Sequence, residues 1–162
     1  MKKTTLEAIK AHAIRDYPRE ACGLVVVIRG RERYVPCANT APGTDHFRLA
    51  PEDYAAAEAL GEITTVVHSH PDSNPEPSEA DKVGCEASGL PWLIVGVARN
   101  GAGEPETTAL ASFAPSGYEA PLVGRSFHHG VLDCYSLIRD WYRRERGISL
   151  PDFERAGNPP GN

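Results

Sequence analysis

Two long apolar runs do most to limit the folds open to this sequence of 162 residues. Residues 22–28 and 92–98 are rich in side chains that favour strands, and each run is long enough for a buried strand. A predicted helix precedes each run, over 6–17 and over 78–88. Helices mixed with strands in this way indicate an α/β fold built in layers around a mixed sheet.

The other predicted elements complete this pattern. Strands are expected over 33–37, 63–70 and 107–113, a short strand over 47–49, and helices over 51–60 and 133–146. The last helix follows an irregular link over 118–130, and the residues from 157 to 162 are expected to fray. We therefore predict one domain over 1–117, a linker over 118–130 and an appended C-terminal helix within 131–162.

Composition excludes several classes of protein. Hydrophobic residues make up 41% and charged residues 24% of the chain, which is typical of a folded domain. The net charge is -5 and no long basic run occurs, so we expect no nucleic-acid partner. No apolar stretch is long enough to span a bilayer or to serve as an export signal, so a cytoplasmic protein of a bacterial host is expected.

Cysteine usage indicates a reducing compartment. The four cysteines form no C-x-x-C pair and are too sparse for a small secreted scaffold. They are Cys22, Cys37, Cys85 and Cys134. Reduced thiols are expected, although an even count leaves a disulfide open.

Two histidines near the middle of the chain have the spacing of metal ligands. His68 and His70 close the predicted strand 63–70. Residues two apart on a strand share a face and lie about 6.6 Å apart, so both imidazoles can reach one ion. If the proline-rich loop 71–77 folds the next helix back, Asp81 supplies a third ligand. Two imidazoles and one carboxylate leave a fourth position open, as in a catalytic zinc site with one Zn²⁺ per chain.

Hydrolysis at such a site needs further groups. Zinc lowers the pKa of a bound water to about 7 and so supplies a nucleophile. Glu20 lies between the end of the first helix and a buried strand, where a side chain can act as general base. Ser78 stands one helical turn before Asp81 and offers a hydroxyl to a developing oxyanion.

Each of these residues also has an ordinary interpretation that the residues alone leave open. A pair of histidines on a strand is common. Ser78 and Asp81 suit the N-cap and N3 positions of a helix, and a lone Glu20 is more often solvated. The combination of H-x-H-P, a following S-x-x-D and an upstream acid favours the metal interpretation.

This combination resembles the signature of the JAMM (MPN+/Mov34) metallopeptidase family. Glu20, His68-Ser69-His70-Pro71, Ser78 and Asp81 occur in the family's order, and the resemblance covers about residues 1–117. It implies a curved mixed sheet with flanking helices, similar to the cytidine-deaminase arrangement. It also implies zinc on His68, His70 and Asp81, acid–base work by Glu20 and an oxyanion contact from Ser78. Members cleave peptide or isopeptide bonds, often in the C-terminal tail of a ubiquitin-like protein.

A second resemblance covers the end of the chain. Cys134 opens the predicted helix 133–146, where the helix dipole favours thiolate. Residues 130–153 look like the start of an NlpC/P60 cell-wall peptidase domain. A JAMM domain followed by NlpC/P60 is the architecture of phage tail assembly proteins of the lambda K type, which the whole chain resembles. This implies protein or peptide tails as substrates, other tail-tip proteins as partners and association with the virion.

The second resemblance is incomplete. In NlpC/P60 enzymes a catalytic histidine follows the cysteine, but His128 and His129 precede Cys134 and none follows it. We expect 131–162 to be a truncated start or a remnant of that domain, with no catalytic work for Cys134. Its helix would pack on the first domain or on a partner through Ile138 and Trp141.

Three functions therefore stay open. The first is a zinc peptidase or isopeptidase that acts in tail-tip assembly. The second is a structural component of the tail tip without catalysis. The third is an enzyme that processes the tail of a ubiquitin-like or sulfur-carrier protein in bacteria.

Overall fold

The computed structural model describes residues 1–44, 46–153 and 155. Within these residues the chain forms four helices and five strands. The helices are α1 (Lys3–Asp16), α2 (Pro51–Leu60), α3 (Glu79–Ser88) and α4 (Cys134–Arg146). The strands are β1 (Cys22–Ile28), β2 (Arg31–Cys37), β3 (Glu62–Pro71), β4 (Trp92–Arg99) and β5 (Pro105–Phe113).

The five strands form one mixed sheet in the order β2-β1-β3-β4-β5. Only β3 and β4 run parallel, and α3 lies in the chain that connects them. The other neighbours are antiparallel, and a tight turn with positive φ at Arg29 and Gly30 joins β1 to β2. The predicted α/β class with a mixed sheet is confirmed.

Side chains of the central strands alternate between two buried faces. Helix α1 packs on one face, where its apolar side chains meet those of β1, β3 and β4. This core cluster contains Ile9, Ala13, Ala21, Val25, Val67, Leu93, Val95 and Val97. The alternate residues, among them Cys22 and His68, lie on the opposite face of the sheet and are also buried.

The described chain divides into two compact units. The first comprises residues 1–77 and 89–114, and so contains the whole sheet with α1 and α2. The second comprises α3 together with the described residues from 115 onward.

The second unit has its own small apolar cluster. Ala80, Ala120 and Leu132 are buried there, with Val83, Tyr118 and Val131 packed against them. Glu79 accepts hydrogen bonds from the backbone and hydroxyl of Ser126. Glu86 accepts from the backbone N–H groups of Ser116 and Tyr118. Two carboxylates of α3 therefore hold the irregular link in place.

One prediction on local structure is wrong. Residues 47–49 do not form a strand, and only an isolated bridge joins Asn39 to Leu49. The cause is the Asn39 side chain, whose Oδ1 takes the backbone N–H of Arg48 at 3.0 Å. Ile138 and Trp141 are 47% and 40% exposed, and the packing of α4 on a partner through these side chains stays a prediction. The expected frayed segment 157–162 lies outside the described residues.

No helix among the described residues combines the length and the apolar character needed to cross a membrane.

Candidate metal centre

The two imidazoles of β3 point to the same place. His68 and His70 stand two residues apart on the strand, so both lie on the sheet face opposite α1. Their Nε2 atoms are 3.2 Å apart. Two nitrogens bound to one tetrahedral zinc ion lie about 3.3 Å apart, given a Zn–N distance of about 2.05 Å. The spacing therefore fits two ligands of one ion.

A backbone carbonyl orients the second histidine. His70 Nδ1 lies 2.9 Å from the carbonyl oxygen of Asn74. Because a carbonyl only accepts hydrogen bonds, Nδ1 donates its proton, and the lone pair of a neutral His70 is then on Nε2. Histidines that bind metals usually make a second bond of this kind through the other ring nitrogen.

Aromatic rings surround the first histidine, which is 1% exposed. Phe47 stacks on the His68 ring, with centroids 4.4 Å apart and an angle of 25° between the planes. Trp92 meets the same ring edge-on at 5.4 Å. These contacts restrict the rotation of the imidazole. Neither aromatic residue was identified from the sequence, where Phe47 was assigned only to a short strand.

Glu20 is 6% exposed, so the interpretation as a solvated carboxylate is wrong. The adjacent Ala21 makes two hydrogen bonds with Ser69. The Ser69 N–H donates to the Ala21 carbonyl at 3.0 Å, and the Ala21 N–H donates to Ser69 Oγ at 2.9 Å. Cys22 pairs with His68 in the sheet. This pair is the last of the β1–β3 ladder, and Glu20 lies two residues before Cys22 in the chain.

Helix α3 begins with the capping arrangement that the sequence allowed. Asp81 Oδ2 accepts from both the N–H and the hydroxyl of Ser78, each at 2.8 Å, and the Asp81 N–H donates to Ser78 Oγ at 3.1 Å. These bonds employ only one of the two carboxylate oxygens. This capping limits the rotation of the Asp81 carboxylate.

One group of potential metal ligands occurs among the described residues, and it consists of His68, His70 and Asp81. Their ligand atoms all lie within 4.8 Å of one another. Two imidazole nitrogens and one carboxylate oxygen form a donor set that suits zinc and several other divalent transition metals. The group could therefore bind a metal ion.

The four cysteines are free thiols, as expected for a reducing compartment. Burial raises the pKa of Cys22 to about 12 and that of Cys37 to about 11, and it also raises the pKa of Cys85. These three thiols are therefore unreactive at neutral pH. Cys134 is exposed at the first turn of α4.

Comparisons with known proteins identify relatives of two kinds. Tail tip assembly protein K of Escherichia phage N15 is 46% identical over 154 residues, which are 94% of this chain and 60% of that protein. The protein of the same name from Escherichia phage lambda is 41% identical over 107 residues, or 66% of this chain and 47% of that protein. The CysO-cysteine peptidase of Mycobacterium tuberculosis is 33% identical over 84 residues, or 47% of this chain and 58% of that protein. The chain thus spans about half the length of these relatives.

A solved structure supports the fold. The solution structure of a protein from Desulfitobacterium hafniense matches with a TM-score of 0.52 at 24% identity, over 78% of this chain and 97% of that chain. The family described as prokaryotic homologs of the JAB domain matches residues 2–111. This range includes all three candidate ligands and the whole sheet, except for the last two residues of β5. Since this match covers more than half of the sequence, the chain belongs to the prokaryotic homologs of the JAB domain.

Proposed function

We propose that the chain is a zinc-dependent hydrolase that cleaves a peptide or isopeptide bond with His68, His70 and Asp81 as metal ligands. The convergence of these three ligand atoms within 4.8 Å is the observation that carries the proposal. The donor set leaves an open position for water or substrate, as catalytic zinc sites do. Membership of the JAB family and the peptidase named among the relatives support the same chemistry.

The residues around the proposed site have separate roles. When bound, zinc supplies the positive charge that acidifies water and polarises a carbonyl group. Glu20 would accept the proton of the attacking water and return it to the leaving amine, because its carboxylate is buried and it lies two residues before Cys22, which pairs with His68. Ser78 holds Asp81 through the capping bonds, and its hydroxyl can turn to donate to an oxyanion.

We further propose that this hydrolysis serves the assembly of a phage tail tip. Two of the relatives are named as tail tip assembly proteins, and one of them matches 94% of this chain. The substrate would then be a protein tail among the tail-tip components, and the chain would associate with the virion. A structural component without catalysis is the second candidate, since those same names describe assembly rather than hydrolysis.

Metal analysis and cleavage together test the proposal. Purified wild type, Glu20→Gln and His70→Ala would be analysed for zinc and incubated with a peptide library and with tail-tip proteins. Wild type should hold about one zinc ion per chain and generate new termini that mass spectrometry detects. Glu20→Gln should keep the zinc and lose cleavage by at least about 100-fold, as expected for a general base. His70→Ala should lose both.

The outcomes separate the candidate functions. Cleavage by Glu20→Gln at the wild-type rate would rule out the proposed base. Zinc in the wild type without any cleavage, combined with normal tail assembly by Glu20→Gln phage, would favour the structural candidate. Cleavage only at the tail of a ubiquitin-like or sulfur-carrier protein would favour the third function.

A further inference from the structure

The loop 71–77 holds the group that orients His70. Its Asn74 carbonyl accepts the Nδ1–H of His70, so the position of the loop determines where the Nε2 lone pair points. A flexible loop would let the imidazole rotate or exchange its ring proton between the two nitrogens. The carbonyl is therefore useful to a metal site only if other contacts keep the loop in place.

The middle of this loop rests on β4. Pro75 is buried, and a Cβ atom placed on Gly96 would come within 3.4 Å of its ring. Gly96 is the β4 residue that pairs with His70 in the parallel register. The Asn74 side chain adds a local turn, because its Oδ1 accepts the N–H of Glu76 at 3.1 Å. These contacts fix the loop downstream of the carbonyl.

The start of the loop depends on Asp72. Its backbone has a φ of 54°, in the left-handed region that non-glycine residues rarely adopt. Its N–H donates to the Val97 carbonyl at 2.7 Å. Its two carboxylate oxygens accept the hydroxyl of Tyr17 at 2.9 and 2.8 Å. An unfavourable backbone conformation persists where surrounding contacts impose it, and here the Tyr17 hydroxyl is one of those contacts.

Tyr17 is itself well placed for this role. It follows α1 directly, and its ring packs against the apolar core cluster. The Arg99 guanidinium lies 5.2 Å from the ring centroid. Removal of the hydroxyl alone would leave the ring contacts unchanged, so the hydroxyl can be tested apart from the packing.

We propose that Tyr17 and Asp72 are a positioning pair for the metal ligand His70. They hold the start of the loop so that the Asn74 carbonyl meets His70 Nδ1 and keeps Nε2 free of a proton. The inference rests on the proposed function, because it assigns these residues a role in the same metal site. Neither residue belongs to the proposed group of metal ligands.

Zinc affinity, measured by competition with a chelator, tests the pair. Tyr17→Phe and Asp72→Ala should each weaken zinc binding about three- to tenfold. This is at or below the low end of the loss of about 10–100-fold that follows removal of a group bonded directly to a metal ligand. The double variant should bind zinc no less tightly than the single variant with the lower affinity, because both changes remove the same interaction. Asp72→Asn should restore most of the affinity, since its side-chain oxygen accepts from Tyr17 and asparagine tolerates a positive φ.

Tyr34→Phe is the matched control. Its hydroxyl lies 2.7 Å from His12 Nδ1 on the α1 face of the sheet, so its loss should lower stability and leave zinc affinity within about twofold of wild type. Equal weakening of zinc binding by Tyr17→Phe and Tyr34→Phe would mean that general destabilisation explains the loss, and it would overturn the proposed positioning role.

A second measurement distinguishes failure of the pair from failure of the site. Nitrogen NMR of the metal-free protein reports which ring nitrogen of His70 carries the proton. Wild type should show Nδ1–H, and Tyr17→Phe should show a mixture of the two tautomers. Wild-type affinity with an unchanged tautomer in Tyr17→Phe overturns the positioning pair alone. Absence of zinc binding by the wild type overturns the proposed function. In that case the tautomer of His70 in Tyr17→Phe still shows whether Tyr17 and Asp72 position the imidazole.

Discussion

Buried polar residues outside the candidate metal centre also shape this protein, and His12 is the clearest of them. Its side chain is 3% exposed, with Nε2 at 2.9 Å from Asp16 Oδ2 and Nδ1 at 2.7 Å from the Tyr34 hydroxyl. Burial lowers the pKa of His12, and this effect outweighs the opposing charge of Asp16. The ring is therefore neutral, donating to the carboxylate and accepting from the tyrosine.

The lowered pKa predicts how stability depends on pH. In the unfolded chain His12 takes up a proton below about pH 6.5, while the folded chain resists protonation until a lower pH. The free energy of unfolding should therefore fall as the pH drops from about 7.5 to about 5.5, on either side of that ordinary value. Urea unfolding of metal-free wild type and His12→Gln measures this. The variant should be less stable at both pH values but show a smaller fall.

Equal falls in the two proteins would mean that other histidines control the acid response. The tautomer of His12 follows from its partners, as that of His70 follows from Asn74. Neither assignment could be made from the sequence, since each needs the partner across the fold.

At the scale of the elements, β1 depends on the absence of a side chain at Gly23. A Cβ atom at this position would lie 2.4 Å from the Tyr34 hydroxyl oxygen and 2.6–2.7 Å from two ring carbons. The partly buried Tyr34 ring packs against the core cluster and its hydroxyl is bonded to His12 of α1, so the ring cannot move away without disturbing these contacts.

Gly23→Ala should therefore lower the free energy of unfolding by about 1–3 kcal/mol, the usual effect of overpacking. Chemical denaturation measures the change. Gly101→Ala is the matched control, because nothing lies within 4 Å of the added methyl group and the backbone there is not in the left-handed region. A Gly23→Ala protein as stable as the control would mean that Tyr34 has room to shift.

Regular elements were the part of the fold most open to prediction. The buried strand over residues 22–28 was predicted with the bounds that the structure has, because a run that is mostly apolar and is β-branched over 25–28 carries a strong local signal. Residues 47–49 carried a similar but shorter signal, and the Asn39 side chain overrode it. The contact between Tyr17 and Asp72 joins residues 55 apart in the sequence, and no local pattern predicts it.

At the scale of the whole molecule, the family match ends at residue 111 and leaves α4 outside it. The part of the chain that belongs to the JAB family contains all the residues of the proposed site. The spacing of His68, His70 and Asp81 suggested a shared metal site, and the upstream acid and the family resemblance favoured it over the ordinary interpretations of these residues. The surroundings of these ligands, such as Phe47 over His68, needed the folded chain.

Because the proposed ligands converge only in the folded chain, zinc should stabilise the whole fold. A ligand that binds only the native state at about 100 times its Kd adds about 2.7 kcal/mol to the free energy of unfolding. In a chain of this size that corresponds to a rise in Tm of about 5–10 °C, at about 2–4 °C per kcal/mol.

Thermal unfolding with and without zinc, followed by circular dichroism, should show this rise in wild type and its loss on chelation. His70→Ala should show little change, because two ligands bind zinc far less tightly than three. A rise of the same size in His70→Ala would place the stabilising ion elsewhere, with the thiols as the first alternative. It would remove the thermodynamic support for a metal ion at these residues.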